Sequence, residues 1–333
     1  MKRTDRIVAA AFVVLVSTAI VGMSTGETGA NFTGTTTNPG QILQTSTVNA
    51  PASETAASAI AGRVDLSWPA TTTPANGHTV TYLVLRNGVQ VGVTAALTYS
   101  DTPGSDGTYT YTVQTKIAQG AGFFTSASSP AQSPKSDRTA PVMSVLCNGA
   151  ACGPWYKATV AVQVGGNDGA GVGMGTATTN VDGAGAATSA APRTVNVSGE
   201  SAHSVIYSGA DRLGNASSNA TLSFGIDLTA PTAPTGLTSV QGGTGAPVTV
   251  DLSWTAATDA LSGVAGYTVY WVAANPCPVV SPANYPNSAS IGAVTSYSII
   301  GLASTRYCAY LTTTDNAGNV SAPTAFTGPT IAR

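Results

Sequence analysis

The chain has 333 residues, 13 Lys+Arg against 15 Asp+Glu, and a formal net charge of −2. Only 8% of residues are charged and 43% are hydrophobic, a charged share far below the usual soluble-protein average. The near-neutral balance without basic clusters argues against a nucleic-acid partner, whose phosphates demand a Lys/Arg footprint. Two histidines and sparse, scattered acids leave little material for acid–base catalysis.

Lys2, Arg3 and Arg6 precede an uncharged apolar run from Ile7 to Met23. A basic segment followed by an apolar one is the layout of an export signal, so residues 1–30 are expected to be a signal peptide or N-terminal anchor. The membrane is then met only through this leader, if it is retained. Residues 31–54 are polar and rich in Thr and Ser, with a turn at Asn38-Pro-Gly40, and read as a linker.

Two repeats organise the rest of the chain. Val-Asp-Leu-Ser-Trp occurs at Val64–Trp68 and again at Val250–Trp254. Alternation puts Val, Leu and Trp on one face and Asp and Ser on the other, as in a half-buried strand. Asp-x-Thr-Ala-Pro occurs at Asp137–Pro141 and Asp227–Pro231. Its proline fixes φ and removes a donor, which suits a junction before a new strand. The chain therefore divides into units at 55–134, 135–228 and 229–333.

In the first unit the pattern predicts strands over Arg63–Trp68, Thr79–Arg86, Gln90–Val93, Thr108–Lys116 and Phe123–Ser129, with Asn87-Gly88 as a hairpin turn. Tyr109, Tyr111 and Val113 share a parity and are expected to face the core. The second unit reads as Val142–Cys147, Thr159–Val164, Thr176–Val181, Thr194–Ser198, His203–Ser208 and Thr221–Ile226. The third reads as Val248–Trp254, Gly266–Trp271, Ser296–Ile300, Tyr307–Thr313 and a last strand near Thr324–Phe326. No helical stripe of useful length comes after the leader. Short strands punctuated by Gly, Asn, Asp and Pro give an all-β chain of three tandem sandwiches.

Here the motifs resemble known families. Units one and three resemble fibronectin type III modules. Leu66-Ser-Trp68 and Leu252-Ser-Trp254 match the family's second-strand tryptophan, and Tyr82 and Tyr267-Thr-Val-Tyr270 match its third strand. Tyr109-Thr-Tyr-Thr-Val113 and Leu302-Ala-Ser-Thr-Arg-Tyr307 match the run into the sixth strand, although unit one has Gly107 near the place of the leucine. The middle unit resembles bacterial Ig-like surface repeats through Trp155-Tyr156, Asn167-Asp-Gly-Ala-Gly-Val172 and Gly209-Ala-Asp-Arg-Leu-Gly-Asn215. The leader resembles those of exported surface proteins of Gram-positive, actinobacterial type. These resemblances imply a scaffold and no particular activity.

Four cysteines in an exported chain read as two disulfides, Cys147 with Cys152 and Cys277 with Cys308, because local pairing keeps each bond inside one unit. Cys308 has the parity opposite to Tyr307, Ala309 and Leu311 and is expected to point away from the core. Asp211-Arg-Leu-Gly-Asn215 and Asp315-Asn-Ala-Gly-Asn319 are one motif used twice. It reads first as an Asp-capped hairpin whose Gly-Asn supplies positive φ. Calcium is the alternative, with Asp168 and Asp259 as further carboxylates if their loops approach; one local carboxylate falls short of the six to eight oxygens calcium needs. No other metal and no cofactor is expected.

Trp68, Trp254, Tyr111 and Tyr307 read as core. Trp155, Tyr156, Phe123 and Phe124 are the aromatics expected to be partly exposed, hence candidates for a glycan or partner contact. His78 and His203 lie in different units without a ligand neighbour, and no catalytic motif is present. The sequence thus points to a non-catalytic, secreted or cell-surface spacer or adhesive module. Its partner would be a cell-envelope or extracellular polymer or protein. A carbohydrate-binding accessory protein and an extracellular filament subunit stay open, the latter with residues 31–54 donating a strand.

Overall fold

The computed structural model describes residues 37–38, 41–42, 47–72, 78–119, 122–242, 248–324 and 330–331. The expected leader at 1–30 lies outside the described residues, as do Phe326 and most of the 31–46 segment. Among the described residues the fold is all-β apart from one 3₁₀ turn at Ile60–Gly62, and no helix is long and apolar enough to cross a membrane.

The first sandwich packs a three-stranded sheet, Thr55–Ser58, Val64–Ser67 and Thr98–Asp101, on a four-stranded one. The latter runs in the order Gly122–Thr125, Tyr111–Gln119, Val80–Arg86, Val89–Thr94. Strict alternation along Val64–Ser67 buries Val64 and Leu66, and Trp68 continues the same parity. Trp68 meets Tyr82 with ring centroids 5.6 Å apart, and the Thr71 amide donates to the Tyr82 hydroxyl at 3.1 Å. Tyr111 and Val113 are buried, whereas Tyr109 is half-buried at the rim and its hydroxyl donates to the Ser105 carbonyl. Asn87 and Gly88 take positive φ and close the expected hairpin.

The second sandwich sets Val142–Cys147, Val160–Asn167 and Arg193–Val197 against a five-stranded sheet. That sheet orders Trp155–Tyr156, Ala220–Ile226, Ser201–Asp211, Met174–Val181 and Ala187–Ala190. Val160, Val162 and Val164 are fully buried, as their alternation requires. His203 is buried here. Its Nδ1 lies 2.8 Å from Asp182 Oδ2 and its Nε2 lies 3.0 Å from the Gly199 carbonyl. Burial pushes its pKa down, but the carboxylate and carbonyl outweigh that and hold it above the ordinary value.

The third sandwich repeats the first, with Thr235–Gln241, Val248–Thr255 and Ser296–Gly301 in one sheet. The other holds Asn287–Gly292, Val264–Ala273, Arg306–Asp315 and Thr330–Ile331. Trp254 meets Tyr267 at 5.4 Å, and the Ala257 amide donates to the Tyr267 hydroxyl. Tyr307 packs half-buried against this core and its hydroxyl accepts from the Leu302 amide at 2.9 Å.

Three differences from the sequence pattern have physical causes. Thr55–Ser58, Thr98–Asp101, Thr235–Gln241 and Asn287–Gly292 are strands that lack a strong apolar alternation, because each lies at a sheet edge and much of it stays exposed. The expected strand Phe123–Ser129 stops at Thr125. Beyond it, Ser126 and Ser129 hydroxyls accept from the Thr115 and Val113 amides in place of backbone carbonyls, and Pro130 donates nothing. Ser321 and Thr324 do the same for Thr313 and Leu311 around Pro323.

By contact the chain forms two compact units. One comprises residues 1–141 with the loops Asp168–Gly175 and Ala210–Ala216; the other comprises Val142–Asn167, Thr176–Gly209 and Ser217–Arg333.

Candidate functional site

The two Asp-x-Thr-Ala-Pro segments and the two Asp-x-x-Gly-Asn turns build one constellation twice, once inside each compact unit. In the first unit Asp137 comes directly after the short strand Lys135–Ser136, Asp168 opens the loop Asp168–Gly175, and Asp211 opens the turn Ala210–Ala216. Asp211 is held from every side. Its Oδ1 accepts from the amides of Leu213, Gly214 and Asn215, and its Oδ2 accepts from the Asn215 side chain at 2.6 Å. The turn needs a left-handed residue at Gly214, with φ of 96°, and Asn215 is freed to work as a side chain. The Asn215 amide also donates to the Asp137 carbonyl at 2.9 Å, and its Oδ1 accepts from the Ala61 amide at 2.9 Å. Asp137 Oδ2 accepts from the Val172 amide, and Asp168 Oδ2 accepts from the Gly173 amide, each at 2.6 Å.

These bonds draw three carboxylates together, with one oxygen from each within 4.8 Å of the others. Ionised groups at that spacing repel by roughly 3 kcal/mol per pair at an effective dielectric of about 20. Asp168 carries the strain. Burial, with the charges of Asp137 and Asp211, pushes its pKa up despite the Gly173 donor and the nearby Lys135. Its Oδ1 is buried and has no hydrogen-bond partner. Lys135 directs its ammonium to the Gly171 carbonyl. Gly171 is required where it stands, since a Cβ there would lie 2.2 Å from Asp168 Oδ2 and 2.6 Å from Asp137 Oδ2.

In the second unit Asp227, Asp259 and Asp315 cluster within the same 4.8 Å limit. Asn319 repeats Asn215, donating to Asp315 Oδ2 and to the Asp227 carbonyl, each at 2.8 Å. Ser262 replaces Val172 as the amide donor to the linker aspartate, at 3.0 Å. Burial pushes the Asp227 pKa up, but the Ser262 and Thr229 donors outweigh it and hold it low. All six groups offer only oxygen, the donor set of a hard cation.

The sequence pattern marks Asp168, Asp211, Asp259 and Asp315 but not Asp137 and Asp227. The signal for the last two was present, because the aspartate of Asp-x-Thr-Ala-Pro recurs at both junctions; it reads there only as part of a junction between units.

The other candidates fall elsewhere. Cys147 bonds Cys152 and Cys277 bonds Cys308. Cys308 does leave the main core, but it is fully buried in a second one with Tyr285 and Tyr310. Trp155 and Tyr156 are each half-buried. Trp155 lies on the backbone of Gly225, where a Cβ would come within 2.1 Å of the ring, and Tyr156 meets Phe224 edge-on at 5.6 Å. Phe123 and Phe124 are 56% and 50% exposed on an edge strand, with the Lys116 ammonium 4.3 Å from the Phe123 ring. His78 is exposed.

The fold is thus that of tandem β-sandwiches. Among solved structures, the chicken CNTN1 FN1–FN3 domains cover 86% of this chain at 14% identity and a TM-score of 0.42. The fibronectin(III)-like modules of Clostridium thermocellum CbhA cover 55% at 14% identity and a TM-score of 0.29. In sequence, the chain is 41% identical over 103 residues to Exoglucanase A of Cellulomonas fimi, and spans a tenth of that enzyme's length. No protein-family model matches the chain.

Proposed function

We propose that this chain is a non-catalytic extracellular module, a string of β-sandwiches that spaces or presents other groups at a bacterial surface. The observation that carries this reading is the pairing of all four cysteines in disulfides on a tandem-sandwich scaffold. Such bonds persist in oxidising compartments and are rare in the bacterial cytosol. The basic-then-apolar N-terminus supports the same address. Sheets that carry few charges suit packing against polymers or neighbouring chains.

Mass spectrometry of cell fractions under non-reducing conditions tests it. The expected result is protein outside the cytoplasm with every cysteine oxidised. Recovery in the cytoplasm with free thiols overturns the proposal.

The partial match to an exoglucanase favours a second reading, an accessory to polysaccharide metabolism that holds a partner on its substrate. The exposed Phe123–Phe124 edge would be its contact. Retention on cellulose, chitin or cell-wall glycan, lost in Phe123→Ala/Phe124→Ala, would put this reading ahead of the plain spacer.

A further inference from the structure

We propose that Asp137, Asp168 and Asp211 together hold one calcium ion. Three separate stretches of chain deliver these carboxylates to one point, and each is fixed by backbone donors that leave oxygen facing its neighbours. Acidic clusters alone are common on protein surfaces. What distinguishes this one is Asp168, whose carboxylate brings one oxygen to the group while its Oδ1 is buried without any hydrogen-bond partner. A buried carboxylate oxygen is costly to leave unpaired, and a cation is the partner that also relieves the mutual repulsion.

The nearby Lys135 ammonium donates to the Gly171 carbonyl and, among the described residues, forms no ion pair with any of the three carboxylates. The donors are oxygens only, with no imidazole or thiolate in the group, which disfavours zinc and selects a hard ion. Calcium fits better than magnesium. It accepts irregular ligand sets completed by loop carbonyls and water, whereas magnesium demands near-ideal octahedral geometry. The second triad has the same residue types but no orphaned buried oxygen among the described residues, so it serves as the internal control.

Bound calcium would tie the linker at Asp137 to the loops Asp168–Gly175 and Ala210–Ala216. Trypsin reports on that tie, since Lys135, Arg138 and Arg212 flank the ligands.

The test uses the full chain after chelator treatment, titrated calorimetrically with calcium chloride and, in parallel, with magnesium chloride. Calcium uptake is expected in the range of extracellular modules, about 0.1 to 1 mM. Asp168→Asn, which keeps an acceptor for the Gly173 amide, lowers the stoichiometry by one; Asp259→Asn does not remove that equivalent. In the unmodified chain, saturating calcium slows tryptic cleavage after Arg138 and Arg212 by roughly tenfold, and magnesium at the same concentration does not. This second readout stands even where a variant folds poorly. Absence of calcium uptake, an equivalent that survives Asp168→Asn in a folded variant, or cleavage indifferent to calcium overturns the proposal.

Discussion

The first and third sandwiches start from the same strand and end differently. Each centres on Val-Asp-Leu-Ser-Trp, sets the tryptophan against a tyrosine of the facing sheet, and lets a loop amide donate to that tyrosine's hydroxyl. The third then adds a second layer. The segment between Ala273 and Asn287 folds over the outer face of its sheet, anchored by Cys277–Cys308, and buries Tyr285 and Tyr310. Tyr270 stacks on Tyr310 at 4.7 Å with rings nearly parallel, and Tyr285 meets it edge-on at 4.9 Å. The first sandwich runs directly through a two-residue turn at Asn87-Gly88, which adds no such segment over that face. One core sequence therefore specifies the sandwich, and the length of one connection decides whether its back is covered.

The largest effect should come from what the two share. Trp68→Ala and Trp254→Ala each remove a buried ring and are expected to cost about 3–5 kcal/mol in denaturant titrations. A marked inequality between them would show that the outer layer of the third sandwich also supports its main core.

The next effect separates them. Cys277→Ser/Cys308→Ser is expected to lower stability by about 3–4 kcal/mol, from the loop the bond closes in the unfolded chain. Reducing agent should produce the same loss in the third sandwich, while the transition of the first stays in place. A smaller step belongs to the turns that the two acidic triads use. Asn319→Ala and Asn215→Ala each delete a side chain that bonds two buried acceptors, and a loss of about 1–3 kcal/mol is expected for each.

The smallest effect is electrostatic. Glu54 precedes the first strand of the first sandwich, where Pro234 precedes that of the third. Glu54 is buried, its Oε2 accepts from Ser129 at 2.6 Å, and its Oε1 has no partner. Burial pushes its pKa above the ordinary 4.5, with the Ser129 bond opposing. A carboxyl raised on folding binds its proton more tightly in the native state. Its contribution is therefore present below pH 4.5 and is lost as pH rises through the higher folded value. Glu54→Gln should remove that slope and, at neutral pH, raise stability slightly. Midpoints measured across pH check this, and a less stable variant at neutral pH would contradict it.

Much of the fold was legible because alternation is a local property. The runs around Leu66, Val162 and Leu252 carry their burial in their own spacing, and Asn87-Gly88 and Gly214 carry their turns in their own backbone freedom. Edge strands such as Asn287–Gly292 were not legible, since half-exposed strands have no apolar face to mark them. Cys308 shows the limit well. Its parity correctly turned it from the main core, but nothing nearby in sequence says that Tyr285 comes back to cover it.

The acids make the same division. Repetition in the sequence was enough to mark Asp211 and Asp315 as paired turns and Asp137 and Asp227 as paired junctions. That those residues share one point with Asp168 or Asp259 depends on loops dozens of residues apart meeting across a sheet end. Hydrogen bonds between neighbours can be read along the chain, but the mutual repulsion of distant charges exists only once the sheets have folded them together.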